Sequence, residues 1–308
     1  MIFIQYVIMC FIFGTTFLAI KLGVDSGAPP FLSAGLRFFV AGLVLYIFML
    51  ILKKATWRLF FKKELFLTGI GLTFGTFSSL YWAEQYVSSG MASILSATGP
   101  MMIMCMQFFI LREVLSKRSW YGILIGFLGV ISLLSSSFTI HANWMILFGS
   151  LVILIGELFY AGGALYSKTV SRKWQNISPI ALNAVQMIHG GLLLFLLSAL
   201  TERTGVKSVL SIDTLLPLLY LTVVGSMVGH SLFYWLVSKT DPVFPSTWLY
   251  ISPIIAVVIG AIFNGETITV WMAIGILMII SGTITVNWEA LKGMVSKIRL
   301  SNLKRKVS

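Results

Sequence analysis

The chain has 308 residues, 58% of them apolar and 10% charged, with a mean hydropathy of +0.95 and a formal net charge of +12. That is more apolar surface than a water-soluble domain of this length can bury, so the composition excludes a soluble globular protein and makes lipid the solvent. The two cysteines, Cys10 and Cys105, fall inside apolar stretches as small fillers and carry no information about redox compartment.

Roughly 30 Å of hydrocarbon takes about 20 helical residues. Windows of that length predict ten membrane-spanning helices, at 2–20, 29–52, 65–85, 91–111, 119–137, 144–167, 178–200, 213–237, 244–263 and 267–287. The first lacks a basic leader and a small-residue cleavage site, so it reads as a retained helix. Ten spans place both termini on one side. With the N-terminus inside, eighteen Lys and Arg residues fall in inner loops and the tail, and only Lys21, Arg203 and Lys207 fall outside. The positive-inside rule therefore predicts a cell-membrane protein with both termini cytoplasmic. The basic segment 289–308 accounts for much of the net charge and is expected to lie against anionic lipid rather than nucleic acid.

A shift of 153 residues superposes Tyr81 on Tyr234, Trp82 on Trp235, Pro100 on Pro253, Glu113 on Glu266, Gly122 on Gly275 and Gly129 on Gly282. Trp, Pro and Glu are too rare in apolar sequence for this to be coincidence, so the chain is a duplication. The early spans match more loosely: Lys21 meets Lys168 at a shift of 147, and Pro29 meets Pro179 at 150. Five spans per copy force the second copy in upside down, giving a 5+5 inverted repeat, an architecture of secondary transporters with a solute site between the halves. The repeats are expected at 1–138 and 139–288, ahead of the basic tail 289–308. Pro100 and Pro253 are expected to mark helix breaks at the starts of spans 4 and 9.

The segments "GTTFLAIKLGVDSGAPPFLSAGLRFFVAG", "YWAEQYVSSGMASILSATGP", "REVLSKRSWYGILIGFLGV" and "GETITVWMAIGILMIISG" resemble the EamA-type members of the drug/metabolite transporter superfamily over nearly the whole chain. The resemblance implies ten helices, a central cavity lined by both halves, and export of amino acids and related metabolites across a bacterial inner membrane. The Gly-Glu pair that usually ends the fourth helix is Arg112-Glu113 here, while the second copy keeps Gly265-Glu266.

Charges inside lipid are costly, so each is a functional candidate. Arg37 sits two turns into span 2, and Glu84 ends span 3; the resemblance covers both segments. Arg37 otherwise reads as a structural ion pair or a donor to helix carbonyls, and Glu84 as a residue at headgroup level. Glu157, near the centre of span 6, is the acidic residue suited to taking up and releasing a proton. Its alternative is a permanently neutral carboxyl bonded to a neighbouring helix. His189 and His230 read as buried hydrogen-bonding groups rather than ligands, and His230 joins Glu157 and Arg37 as a candidate for proton coupling or intramembrane charge. Tyr81, Trp82, Tyr234, Trp235 and Tyr250, with Thr15 and Ser78, suit an aromatic cavity for small amphipathic solutes; interfacial belts are the alternative for aromatics at helix ends.

The expected function is secondary transport by alternating access, with proton coupling through Glu157. A channel or facilitative permease stays open as the alternative. An intramembrane enzyme is weaker, because His141, His189 and His230 lie on separate segments without metal-ligand spacing or a nucleophile elbow, and no P-loop couples ATP. No cofactor or metal is expected. The partners are a small-molecule solute and membrane lipids, and the sequence leaves a homodimer open.

Overall fold

The computed structural model describes residues 2–140, 144–203, 206–240, 243–289 and 291–293, and the described residues are helical with no strand. In chain order the helices are α1 (Ile2–Asp25), α2 (Pro30–Ile51), α3 (Lys63–Gly69), α4 (Thr76–Ala83), α5 (Ser89–Ser96), α6 (Gly99–Phe109), α7 (Lys117–Ile140) and α8 (Trp144–Lys173). They continue as α9 (Pro179–Thr201), α10 (Ile212–Tyr220), α11 (His230–Lys239), α12 (Val243–Ser246), α13 (Trp248–Asn264) and α14 (Val270–Val286). Among the described residues, eight helical runs are long and apolar enough to cross a membrane, and Val270–Val286 is a shorter apolar one. The protein is thus a multi-pass membrane protein. His141 and most of the basic tail lie outside the described residues.

Local sequence sets the helix starts. Pro30, Pro100 and Pro179 occupy first turns, where the missing amide hydrogen costs nothing. Ser88 accepts from the Met91 amide at 3.2 Å and Thr269 from the Met272 amide at 3.1 Å, both as N-caps. The first amides of α2 are satisfied from afar: Glu202, at the end of α9, accepts from Phe31 N at 2.7 Å and Leu32 N at 2.9 Å.

Two runs contain a wide π-type turn, Ile70–Gly75 between α3 and α4 and Leu221–Gly229 between α10 and α11. Both fall on the glycine pairs Gly71/Gly75 and Gly225/Gly229, which a shift of 154 superposes. In the first, the Thr76 hydroxyl satisfies the Gly71 carbonyl at 2.8 Å.

Lipid offers no hydrophobic drive for helix association, so close backbone contact has to supply it. The tightest pairs are α2 with α9 and α7 with α14. A Cβ on Gly122 would lie 2.7 Å from the Gly282 carbonyl, and one on Gly275 would lie 3.0 Å from the Gly129 carbonyl. Exchanging residues by 153 converts the first contact into the second. Large apolar side chains such as Phe3, Phe11 and Leu277 face outward, as lipid requires.

One expectation about the breaks needs correction. Span 4 breaks at Ala97–Thr98 with Pro100 in the next first turn, but Pro253 lies inside α13 and the break there falls at Thr247, between α12 and α13. The helix carries the proline without stopping, because a neighbouring helix packs against this stretch: Ile255 of α13 meets α1 at Gly14.

Candidate functional site

Arg37 is 2% exposed and is the largest side chain enclosed by the bundle. It takes no part in an ion pair, one form of its alternative reading: among the described residues the ion pairs are Lys21–Asp25, Arg118–Glu289 and Lys173–Glu64. Its Nε instead donates to Ser226 Oγ of the second wide turn at 2.9 Å, and its Nη1 to Tyr81 Oη of α4 at 3.3 Å. The rings of Phe38 and Phe77 lie 4.7 and 5.3 Å from the guanidinium carbon. Arg37 thereby joins α2 and α4 to the second copy.

Glu84, three residues beyond Tyr81, is fully enclosed, and neither carboxylate oxygen has a hydrogen-bond partner among the described residues. Lys21 donates to its backbone carbonyl at 2.8 Å and pairs with Asp25 at 2.9 Å.

A second polar group was not singled out by the sequence. Asn183 of α9 donates to His230 Nδ1 at 3.2 Å and accepts from Gln186 Nε2 at 2.8 Å and from Tyr234 Oη at 3.5 Å. Gln186 in turn accepts from Thr73 of the first wide turn at 3.0 Å. The signal was present as Asn183 and Gln186 three residues apart in "PIALNAVQMIHGG", which puts both amides on one helix face. His189 lies apart from this network, between Phe60 and Phe66, with its Nδ1 unpartnered.

Glu157 of α8 is 5% exposed and meets the break in span 4: a Cβ on Gly99 would lie 2.7 Å from its Oε2. The break in span 9 is met in the same way by α1, where the Tyr6 and Thr247 hydroxyls bond at 2.5 Å. Shifted by 147, Glu157 corresponds to Cys10, one turn from Tyr6. The wall of each break is therefore a helix of the other copy.

The remaining candidates are dispersed. Thr15 bonds Tyr220 at 2.5 Å, Ser78 turns back to the Gly75 carbonyl, Trp82 packs on Tyr86 and Phe148, Trp235 packs beside α1, and Tyr250 sits in the first turn of α13. They do not form one aromatic cavity. A small cleft between α1, α2 and α10 is lined mainly by aliphatic side chains, with Tyr81 as its single aromatic residue. Glu266, which the sequence marks as the repeat counterpart of Glu113, accepts from Ser89 N at 2.8 Å, Ser89 Oγ at 2.7 Å and Gly90 N at 3.0 Å, joining the end of α13 to the start of α5.

Comparison with known proteins decides the family. The model of the "EamA-like transporter family" matches residues 1–135 and again 147–288. The chain belongs to the EamA-like transporter family. Its EamA relatives include "Uncharacterized inner membrane transporter YedA" of Escherichia coli K12, 29% identical over 87% of this chain and 85% of that protein. The "Probable amino-acid metabolite efflux pump" of Salmonella typhimurium LT2 is 26% identical over 88% of this chain and 89% of that one. A solved structure 18% identical in sequence superposes with a TM-score of 0.64 over 94% of this chain and 97% of its own, so the EamA chain shares its fold. The protein is a membrane transporter.

Proposed function

We propose that this transporter exports amino acids or related small metabolites by alternating access. In this reading ten helices form two inverted five-helix halves, 1–138 and 139–288, with both termini and the 289–308 segment cytoplasmic. The exchange-symmetric contacts of α7 with α14 support the inverted relation, and the basic residues support the orientation. The name of the Salmonella relative supports the solute class and the direction.

The observation that carries alternating access is a tie that, among the described residues, is made at one end. Glu266 and α5 join the two halves, while Glu113, its repeat counterpart, bonds Gln107 of its own helix end among the described residues. Two inverted halves that differ in this way describe one of two alternating states. In the proposed orientation the tied end faces outward. Glu157, held at the break of span 4, is the proton-coupling group.

Counterflow in proteoliposomes tests the reading: preloading with unlabelled amino acid accelerates labelled uptake through a carrier and leaves a channel unaffected. Absence of acceleration for every amino acid, together with unchanged metabolites in the medium of overexpressing cells, overturns it. Cysteines at Lys54, Lys207 and Lys304 test the orientation, since an impermeant reagent should reach only 207 in intact cells.

A further inference from the structure

We propose that Glu84 is a proton-binding site of the end that Glu266 ties: the two halves close there with a proton on the Glu84 carboxyl, and that proton leaves to water when the end opens. The proposal rests on the two-state transport reading and adds a ligand to it.

Glu84 caps α4 with 0% exposure, and neither carboxylate oxygen has a hydrogen-bond partner among the described residues. An ionised carboxylate enclosed in that way loses its hydration and gains no donor, which is strongly unfavourable, whereas the neutral acid loses far less. The cations that could offset the charge are committed elsewhere. Lys21 of α1 pairs with Asp25 at 2.9 Å and donates to the Glu84 main-chain carbonyl at 2.8 Å. Arg37 of α2 donates to Ser226 and to Tyr81, the titratable neighbour on the same helix. Asp25 and Glu266 act on Glu84 as negative charges, and the Glu266 oxygens are held by Ser89 and Gly90. Neighbouring carboxylates do not readily ionise together, so the proton falls to the one without donors. α5 carries no titratable residue, and α8 meets this end at Gly149, eight residues before its first one, Glu157.

The place of Glu84 couples its proton to the tie. Five residues separate it from Ser89, which donates to Glu266, so enclosure of the carboxyl and formation of the tie happen at one end. The 153-residue shift puts Val237 at the corresponding position, so the opposite end lacks the site. Closing strips water from the carboxyl and opening returns it. Closure therefore takes up a proton: acid favours the tied end, and rising pH favours the open one. The proton goes back to the side it came from, so it sets the populations without driving flux, a role distinct from that of Glu157.

The experiment uses the purified full chain in detergent micelles, with Cys10 and Cys105 replaced by Ala and one cysteine at Ser88 labelled by an impermeant reagent. Rates are divided at each pH by those of the same protein carrying Glu266→Ala, so that ionisation of the thiol cancels. Between about pH 5 and 8 the corrected rate should rise by about tenfold per pH unit, the slope of one proton, until it reaches the untied rate. Glu84→Gln, which keeps the shape of the neutral acid, should hold the low rate throughout. If that variant does not fold, Glu84→Met carries the test with the same expectation. A flat wild-type profile overturns the proposal, because Lys21 then satisfies the ionised carboxylate in place. A pH response that survives in the variants also overturns it, since another group is then titrating. Counterflow on the same protein separates the two readings. A pH-dependent labelling rate without counterflow sinks transport and leaves the proton site standing, whereas counterflow with a flat profile does the reverse.

Discussion

The two glutamates that end α13 and α6 are repeat counterparts, yet among the described residues only the first joins the halves. Their backbones agree closely: Gly265 and Arg112 both take left-handed φ, 64° and 55°, and the next amide reaches back to Gly260 O at 3.1 Å and to Gln107 O at 3.0 Å. The difference comes from the residues around the carboxylate. A Cβ on Gly260 would lie 2.5 Å from Glu266 Oε2, so only a glycine leaves that carboxylate room to reach α5. Its counterpart is Gln107, which fills the space and holds Glu113 at 3.1 Å. The donors differ too, because the counterpart of Ser89 is Pro242, which has no amide hydrogen to give. Similar backbone conformation with unequal neighbours lets the Glu266 end of the repeat reach the other half.

The largest effect should come from breaking that tie. Three hydrogen bonds to a carboxylate are lost in Glu266→Ala, and bonds to charged groups contribute roughly 1.5–3 kcal/mol each. Allowing for water replacing part of the set, the tied state should lose about 3 kcal/mol, on the order of 100-fold in population. Labelling of a cysteine at Ser88 by an impermeant reagent should rise accordingly and counterflow should fall. Glu113→Ala should change either quantity by less than about twofold, as exposed groups do. Gly260→Gln, which copies the first half into the second, should reproduce the Glu266→Ala labelling; a tie surviving that substitution would contradict the account of the asymmetry.

This contrast also marks what a single sequence can carry. Spans were legible because 20 consecutive apolar residues have one physical meaning, and the duplication was legible because Trp, Pro and Glu seldom recur by chance. Partnerships such as Glu266 with Ser89, 177 residues apart, or Asn183 with His230 leave no local pattern. The break expected at Pro253 lies at Thr247, since a helix in lipid can carry a proline where packing against its neighbours allows it. The expected aromatic cavity failed for a related reason. Helix ends collect Trp and Tyr for interfacial anchoring as well as for binding, and Trp82 went to a packing role against Phe148.

A second comparison sets Glu157 against Cys10, the counterparts facing the two breaks. If the acidic one couples proton entry to export, Glu157→Gln should lower pH-gradient-driven flux by about tenfold or more, while gradient-free exchange stays within about twofold. Cys10→Ala should leave both within about twofold. Paired flux measurements in proteoliposomes decide it, and equal losses in both activities would reduce Glu157 to a packing role.

The smallest effect concerns the shared left-handed residue itself. Arg112 adopts there what Gly265 adopts without steric cost, so Arg112→Gly should stabilise the protein by about 1 kcal/mol and Gly265→Ala destabilise it by a similar amount. Thermal melts in micelles would register shifts of a few degrees in opposite directions.

The two wide turns would act on the buried polar groups as cranks. Each carries chain beyond what an α-helix needs for the same rise, and for every residue returned to α geometry everything beyond it would advance by about 100° and 1.5 Å. In the first half the moving part is α4, and such a throw would swing the Tyr81 hydroxyl off Arg37. In the second it is α11, and His230 and Tyr234 would leave Asn183 together. A register step of one residue, made inside a helix with its ends held, would then exchange the polar contacts at the core without requiring the outer helices to slide through lipid.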